Sequence, residues 1–309
     1  MILIVSMILA TLAAAHPHHG GGHHGGYYNP KIVADAIQWN TIEAAKQYRL
    51  MRPFNTCMDD LVARSYIVNA SQVMPAYQCI AHGTGDLNVL FVGNSYSHRA
   101  SALIHETLLG NGAKYSTLRL FAMSACNPTS HTDPCTDFWN AGRQVAKLQK
   151  PDIIFLIFNT YYNTTCLDPI DKLATDTTAA ILRNHVGSFA ALAPHVIYDT
   201  TFETPSVMTA ATMVTLLSNH SSLADMKMNY RDWMKQAKPY YKRISTFDFD
   251  KVVTHYVSKD VCEGEWCYLY TPKYLRALYT DNLHFSPEGL QFQKKSYTKI
   301  LKKQFPGLL

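Results

Sequence analysis

Several features of common functional classes are missing from this sequence. Its net charge of +5 at pH 7 is mild, and no Arg-rich or aromatic-interleaved stripe accompanies it, so no nucleic-acid partner is expected. No two cysteines show the Cys-x-x-Cys spacing of a zinc site, and no internal repeat is visible. These absences exclude the simplest nucleic-acid-binding, zinc-binding and repeat-protein interpretations.

Long apolar runs are also scarce. The first segment, residues 1–15, is apolar but shorter than the roughly 20 residues that cross a bilayer. It ends in small residues that signal peptidase accepts, so we interpret it as a signal peptide, and the chain is expected to be secreted or to remain in the secretory-pathway lumen. The segment lacks positive residues at its start, so an uncleaved anchor or a shortened gene model stays open. No later stretch predicts a membrane span in the mature chain.

Residues 16–29 are rich in histidine and glycine and have no hydrophobic periodicity, which predicts a disordered linker. Without a folded frame, these histidines have no fixed geometry for a metal, and we predict no metal site. The remaining residues, 30–309, are apolar enough for one large domain, and the chain as a whole is 47% hydrophobic. We expect residues 30–86 to form a cysteine-containing cap on one side of that domain.

Seven cysteines fit an oxidising compartment. Pairing neighbours along the chain gives three expected disulfides and leaves Cys166 over, although sequence alone does not fix the connectivity. The expected pairs are Cys57–Cys79, Cys126–Cys135 and Cys262–Cys267. Asn69, Asn163 and Asn219 begin Asn-x-Ser/Thr triplets, which are glycosylation acceptors if the chain enters the secretory pathway.

Apolar, β-branched runs alternate with helical patterns along the rest of the chain. Runs without polar alternation are typical of strands buried on both faces of a parallel sheet. The pattern predicts an α/β protein, a three-layer α/β/α sandwich with a mainly parallel sheet of about five strands. The predicted strands are 89–92, 116–123, 153–158, 195–198 and 243–249.

The first of these strands leads directly into Gly93-Asn94-Ser95 and a helical pattern. The carboxyl edge of an open α/β sheet is where ligands usually bind, and backbone N–H groups at a helix start are suited to stabilise an oxyanion. Ser95 is therefore a candidate nucleophile. Serine is also among the best helix N-caps, so a purely structural role for Ser95 stays open.

A second candidate segment lies near the C-terminus, where Asp281 and His284 are three residues apart. This spacing allows one loop to present both side chains. An aspartate beside a histidine fixes its tautomer and stabilises the imidazolium, which leaves the other ring nitrogen to take a proton from a serine hydroxyl. The two segments together predict a Ser95–His284–Asp281 triad.

Gly93-Asn94-Ser95 and Asp281-Asn282-Leu283-His284 resemble the first and last motifs of the SGNH hydrolase superfamily, Gly-Asp-Ser and Asp-x-x-His. The sequence is more similar still to the SGNH domain of nematode-type membrane O-acyltransferases, in which asparagine replaces the aspartate of the first motif. The resemblance covers about residues 34–309, and the membrane module of those proteins is expected to be absent. It implies that Ser95 is the nucleophile, His284 the general base and Asp281 the residue that orients it.

The resemblance also implies an oxyanion hole, in which a residue just after the second strand donates its backbone N–H. Ser124 and Ala125 are the candidates for that position. The third family motif, Gly-x-Asn-Asp, is not preserved, because Tyr161 stands where the donating asparagine is expected. The candidate donors are then Asn159 or Asn163 from a shifted position, or a tyrosine hydroxyl.

The leading hypothesis is a secreted SGNH-type serine esterase or O-acyltransferase that forms an acyl-enzyme and needs no cofactor. By resemblance, its substrate is an acylated carbohydrate, glycolipid or small molecule. The alternative is a secreted carbohydrate-binding or interaction protein with the same fold that has lost activity through the change at Tyr161.

Overall fold

The apolar runs of the sequence form a seven-stranded sheet with the order β1-β2-β4-β3-β5-β6-β8. The computed structural model describes residues 28–46, 52–110, 112, 114–130, 132–159, 172, 175–200, 204–304 and 306. The strands of the sheet are β1 (Met58–Asp59), β2 (Ala76–His82), β3 (Leu87–Gly93), β4 (Tyr115–Met123), β5 (Ile153–Ile157), β6 (His195–Asp199) and β8 (Val252–His255).

The five strands β4, β3, β5, β6 and β8 run parallel. At one edge β2 pairs antiparallel with β4, and β1 pairs antiparallel with β2. Every residue of β5 is buried, as its unbroken apolar sequence requires for a strand covered on both faces. The predicted α/β class with a mainly parallel sheet is confirmed.

Helices cover both faces of the sheet and form two separate hydrophobic cores. On one face lie α1, α4, α7, α10 and α11, and on the other lie α2, α3, α5, α6 and α8. Alternate residues of β3 point to opposite cores, with Phe91 in the first and Leu90 in the second. The helices are α1 (Pro30–Lys46), α2 (Leu61–Ser65), α3 (Val68–Val73), α4 (Ser95–Gly110), α5 (Asp133–Gln149), α6 (Thr177–Ala190), α7 (Thr209–Ser218), α8 (Tyr230–Ile244), α9 (Ser258–Val261), α10 (Pro287–Gln291) and α11 (Lys294–Gln304).

Two small sheets complete the described part of the fold. One consists of β7 (Lys227–Asn229), β10 (Trp266–Tyr268) and β9 (Cys262–Glu263), and the other of β11 (Tyr270–Thr271) and β12 (Arg276–Ala277). In the described ranges, no helix combines the length and the apolar character that crossing a bilayer requires.

The position predicted for the last parallel strand, residues 243–249, is wrong. Helix α8 continues to Ile244, and Arg243 is fixed there by a buried ion pair with Asp176. The β-branched residues Val252 and Val253 come later, and they pair with β6 in the observed strand β8. The β-branched run was therefore the better signal than the mixed aromatic segment before it.

The segment expected to form a cap extends the sheet instead, because β1 and β2 lie within it. Its first helix, α1, packs against α7. The three expected disulfides, Cys57–Cys79, Cys126–Cys135 and Cys262–Cys267, are all present. They fit a protein that folds in an oxidising compartment. Cys166 lies outside the described residues.

Candidate active site

Ser95 is the first residue of α4 and follows directly on the turn that ends β3. The turn needs glycine, because a Cβ atom on Gly93 would lie 1.7 Å from the carbonyl oxygen of Ile157. Asn94 then caps the helix, since its Oδ1 accepts from the Tyr96 N–H (3.2 Å) and its carbonyl accepts from the His98 N–H (3.3 Å). The Ser95 hydroxyl is therefore not used as the cap.

Asp281 and His284 lie in the loop between β12 and α10, which closes on itself. The backbone N–H of Thr280 donates to the His284 carbonyl (2.9 Å), and the rings of Tyr279 and Phe285 stack with centroids 4.7 Å apart. Ser286 then caps α10 by accepting from the Gly289 N–H (3.1 Å). The loop is held at both ends, so its polar side chains have fixed positions.

These two segments, 189 residues apart in sequence, meet in a chain of hydrogen bonds. His284 Nε2 lies 2.7 Å from Ser95 Oγ. His284 Nδ1 lies 2.9 Å from Asp281 Oδ2. Both distances are within the range of a nucleophile and its general base. The structure thus brings Ser95, His284 and Asp281 together in the order that serine activation requires.

The carboxylate of Asp281 is fully buried, and each oxygen has a partner. Oδ2 faces the His284 ring, while Oδ1 accepts from the N–H groups of Leu283 (2.7 Å) and His284 (2.8 Å). Burial favours the neutral acid, but the bonds to His284 and Leu283 outweigh it and lower the pKa of Asp281. An ionised Asp281 favours the His284 tautomer that carries its proton on Nδ1 and leaves Nε2 free to accept.

The ends of three neighbouring strands bring the oxyanion candidates to the same edge of the sheet. Gly93 of β3 pairs with Ala122 of β4 on one side and with Ile157 of β5 on the other. Ser95, Ala125 and Asn159 follow these three residues by two or three positions. They therefore lie just beyond the ends of adjacent strands, at the same edge of the sheet.

The backbone N–H of Ser124 is not available as an oxyanion donor, because it donates to the Pro75 carbonyl (2.8 Å). This removes one of the two candidates for that position. Ala125 has a left-handed backbone with φ 57°, a conformation that costs a non-glycine residue energy and is common at functional sites. Among the described residues, the N–H groups of Ser95 and Ala125 have no hydrogen-bond acceptor.

Asn159 is buried at the end of β5, and its carbonyl accepts from Asn127 Nδ2 (3.1 Å). Asn127 thus links the loops after β4 and β5, a role that sequence reasoning missed. The available sequence signal for this role was the position of Asn127 beside Cys126, in the loop that follows β4. Tyr161 and Asn163 lie outside the described residues.

A second buried histidine, His255, lies at the carboxyl end of β8. Its ring bonds Asp199 Oδ1 (3.0 Å from Nδ1) and Asp260 Oδ2 (2.8 Å from Nε2). Tyr297 and Ser296 of α11 donate to the same two carboxylates. Both ring nitrogens are occupied, so His255 joins elements of the fold and has no nitrogen left for catalysis. The described residues contain no group of three or more side chains placed to hold a metal ion.

A family model described as the SGNH domain fused to AT3 domains matches residues 65–298. The chain belongs to the SGNH family. The resemblance stated from the two sequence motifs is therefore confirmed, and membership places the chain among acyl-ester hydrolases and acyltransferases at the level of the family. A search of curated proteins found no significant match.

Two solved structures are similar to this SGNH chain. The periplasmic domain of the lipopolysaccharide acetyltransferase of Salmonella ser. Paratyphi A is 12% identical, with a TM-score of 0.54, and the match covers 87% of this chain and 99% of that one. A Bacteroides fragilis NCTC 9343 protein, provisionally named as an acylhydrolase, is 14% identical with a TM-score of 0.44, covering 79% and 99%. At 12% identity, the similarity to the Salmonella domain supports the fold alone.

Proposed function

We propose that this chain is a secreted SGNH-type serine esterase or O-acyltransferase that removes ester-linked acyl groups, with acylated carbohydrates as the substrate class. The observation that carries the proposal is the 2.7 Å separation of Ser95 Oγ and His284 Nε2. On the other side of the ring, His284 Nδ1 lies 2.9 Å from Asp281 Oδ2. The confirmed SGNH family supports the acyl-ester chemistry.

In the proposed reaction, Ser95 Oγ attacks the ester carbonyl while His284 Nε2 takes its proton. The carbonyl oxygen becomes an oxyanion, and the bond to the leaving alkoxide then breaks as His284 returns the proton to it. The acyl group stays on Ser95 until water or another hydroxyl compound, deprotonated by His284, attacks it. Asp281 stays ionised throughout and stabilises the imidazolium.

The N–H groups of Ser95 and Ala125 are the proposed oxyanion donors, with Asn159 at the third position. These two amides lie at adjacent strand ends and have no acceptor among the residues that the structure describes, which supports this assignment. Such donors are held in place by the backbone before the reaction begins, so they stabilise the developing charge without reorganisation.

The proposal includes entry into the secretory pathway, with residues 1–15 as signal peptide, 16–29 as linker and 30–309 as one domain. Three disulfides support it, and Asn69 and Asn219 are exposed on the surface. Expressed with its own N-terminus in insect cells, the protein should reach the medium and lose mass on glycosidase treatment. Asn69→Gln and Asn219→Gln should each remove one glycan, and an unglycosylated cytosolic product would contradict the proposal.

The first test is labelling of the purified protein by a fluorophosphonate probe, which reacts with activated serines. We expect the wild type to be labelled and Ser95→Ala and His284→Ala to lose labelling, because one lacks the nucleophile and the other its base. Ser97→Ala is the matched control. Ser97 lies two residues away in the same helix, and its buried hydroxyl makes no hydrogen bond within the described residues.

The labelling test also separates the proposed enzyme from the alternative of an inactive carbohydrate-binding protein. A folded wild type that does not react would favour the alternative and point to the change at Tyr161. If labelling depends on Ser95, mass spectrometry of the products would distinguish hydrolysis from transfer. Hydrolysis releases the free acid, whereas transfer places the acyl group on an added sugar.

A further inference from the structure

A cleft of about 300 Å³ opens along α4, between α1 and α10. This volume lies at the lower end of the range for small-molecule sites. The titratable side chains of its wall are Glu43, Lys46, Arg52, His98, Arg99 and Glu106. Neither the proposed triad nor the oxyanion donors use these side chains.

Both acids of the cleft are already engaged. Glu43 is buried, and its carboxylate accepts from Lys46 Nζ and from Thr280 Oγ1 (3.2 Å). Glu106 bonds Lys294, and this contact lowers the pKa of Glu106. The negative charge of the wall is therefore largely neutralised by neighbours within the protein.

Two arginines also line the cleft. Arg52 is exposed, and no ion pair or hydrogen bond holds its guanidinium within the described part of the chain. Arg99 lies deeper, where burial lowers the pKa of its guanidinium, while Asp281 and Glu43 act in the opposite sense. Guanidinium groups bind carboxylates and phosphates through paired N–H donors, and partial desolvation strengthens such bonds.

The cleft adjoins the proposed nucleophile. Arg99 follows Ser95 by four residues of the same helix, a rise of about 6 Å. Phe285 lines the cleft and directly follows His284. A molecule with an ester at Ser95 therefore needs to extend only by about one helical turn for a second group to reach Arg99, at the deeper end of the cleft.

We infer that this cleft binds the anionic oxygen group, a carboxylate or a phosphate, of a sugar-sized molecule, with Arg52 and Arg99 as its partners. Assigning that molecule as the ester substrate of Ser95 rests on the proposed function, whereas the binding itself does not. The inference narrows the substrate class to acylated sugars that carry a negative charge.

The test measures calorimetric binding of glucuronate, glucose 6-phosphate and glucose to full-length Ser95→Ala protein at low ionic strength. We expect at least one anionic probe to bind about tenfold more tightly than glucose, and Arg52→Glu to abolish the difference. Arg183→Glu is the matched control, because Arg183 is also exposed and has no ion-pair or hydrogen-bond partner in the described ranges, but it lies on α6, on the opposite face of the sheet. The probe that binds identifies the carboxylate or the phosphate as the ligand.

Anionic probes that bind no more tightly than glucose would overturn the inference, as would an equal loss in Arg183→Glu. Fluorophosphonate labelling keeps the two proposals distinguishable. Anion binding that depends on Arg52 in a protein whose wild type is not labelled would overturn the proposed function and support the cleft. Labelling of the wild type without anion binding would support the proposed function and overturn the inference about the cleft.

Discussion

Asn94 determines what the neighbouring Ser95 hydroxyl is available to do. Because the Asn94 side chain caps α4, the hydroxyl of Ser95 is left for His284. The sequence alone does not distinguish these roles, since asparagine and serine are both good caps and stand side by side. The position of both residues near the helix start was predictable from the sequence. Which of them caps the helix and which contacts His284 is seen only in the structure.

Replacing Asp281 by asparagine tests the orientation of His284. The side-chain oxygen of asparagine can still accept from the two loop amides, but its NH₂ group would then face His284 Nδ1 and favour the wrong tautomer. We expect fluorophosphonate labelling to slow by a factor of about 10⁴ with the fold retained. Labelling rates and circular dichroism measure the two effects, and a labelling rate within a factor of ten of wild type would remove Asp281 from the proposed mechanism.

Among the elements, the loop after β4 combines a disulfide with two site residues. Cys126 lies between the two site residues Ala125 and Asn127. Its disulfide to Cys135 connects this loop to helix α5. Neighbour pairing predicted all three disulfides correctly because each joins segments that are close along the chain. The position of Asn127 beside Cys126 was visible in the sequence, but its partner Asn159 was not predictable, because the pairing depends on which strands are adjacent.

Removing this disulfide should affect the site more than removing another. We expect Cys126→Ala/Cys135→Ala to lower the labelling rate, because the Ala125 amide loses its support. The double variant Cys262→Ala/Cys267→Ala is the control, as that disulfide joins β9 and β10. Each variant should lose about 2–3 kcal/mol of unfolding free energy. Equal labelling by the two variants would show that the Cys126–Cys135 bond does not position the amide.

At the scale of the whole molecule, parallel strands were easier to predict than the sheet edge. Unbroken apolar runs such as Ile153–Ile157 predict strands that are covered on both faces. The edge strand β1 has only two residues, both exposed, and β2 has a mixed burial pattern, so neither produces a clear sequence signal. The predicted α/β class was therefore right, while the extent of the sheet and the position of β8 were not.

Two buried histidines predict a maximum in stability near pH 6.5. Burial lowers the pKa of His185 to about 3, so stability is lost as pH falls below 6.5, where the unfolded chain gains this proton. Burial opposes charge on His255 as well, but Asp199 and Asp260 outweigh it and raise its pKa to about 9. Stability from His255 is complete below pH 6.5 and is lost as pH rises through 9.

The alkaline loss should amount to about 3 kcal/mol and can be measured by urea unfolding at pH 6.5 and above pH 9. Tyr297 and Ser296, which donate to the same carboxylates, remain neutral over that interval. His255→Gln should flatten the alkaline limb, whereas the exposed His82→Gln variant should retain it. An unchanged limb in His255→Gln would assign the alkaline loss to other groups.

The 189-residue separation of Ser95 and His284 has a consequence for synthesis of the protein. Under the proposed mechanism, a chain still on the ribosome, or cut short before residue 281, has the nucleophile Ser95 without its base and orienting acid. We therefore expect such a chain not to react with the fluorophosphonate, even if its sheet has formed. The fraction of molecules that react therefore reports how many have folded through their last loop. Measured at successive times in a cell lysate, this fraction would give the rate at which the protein matures.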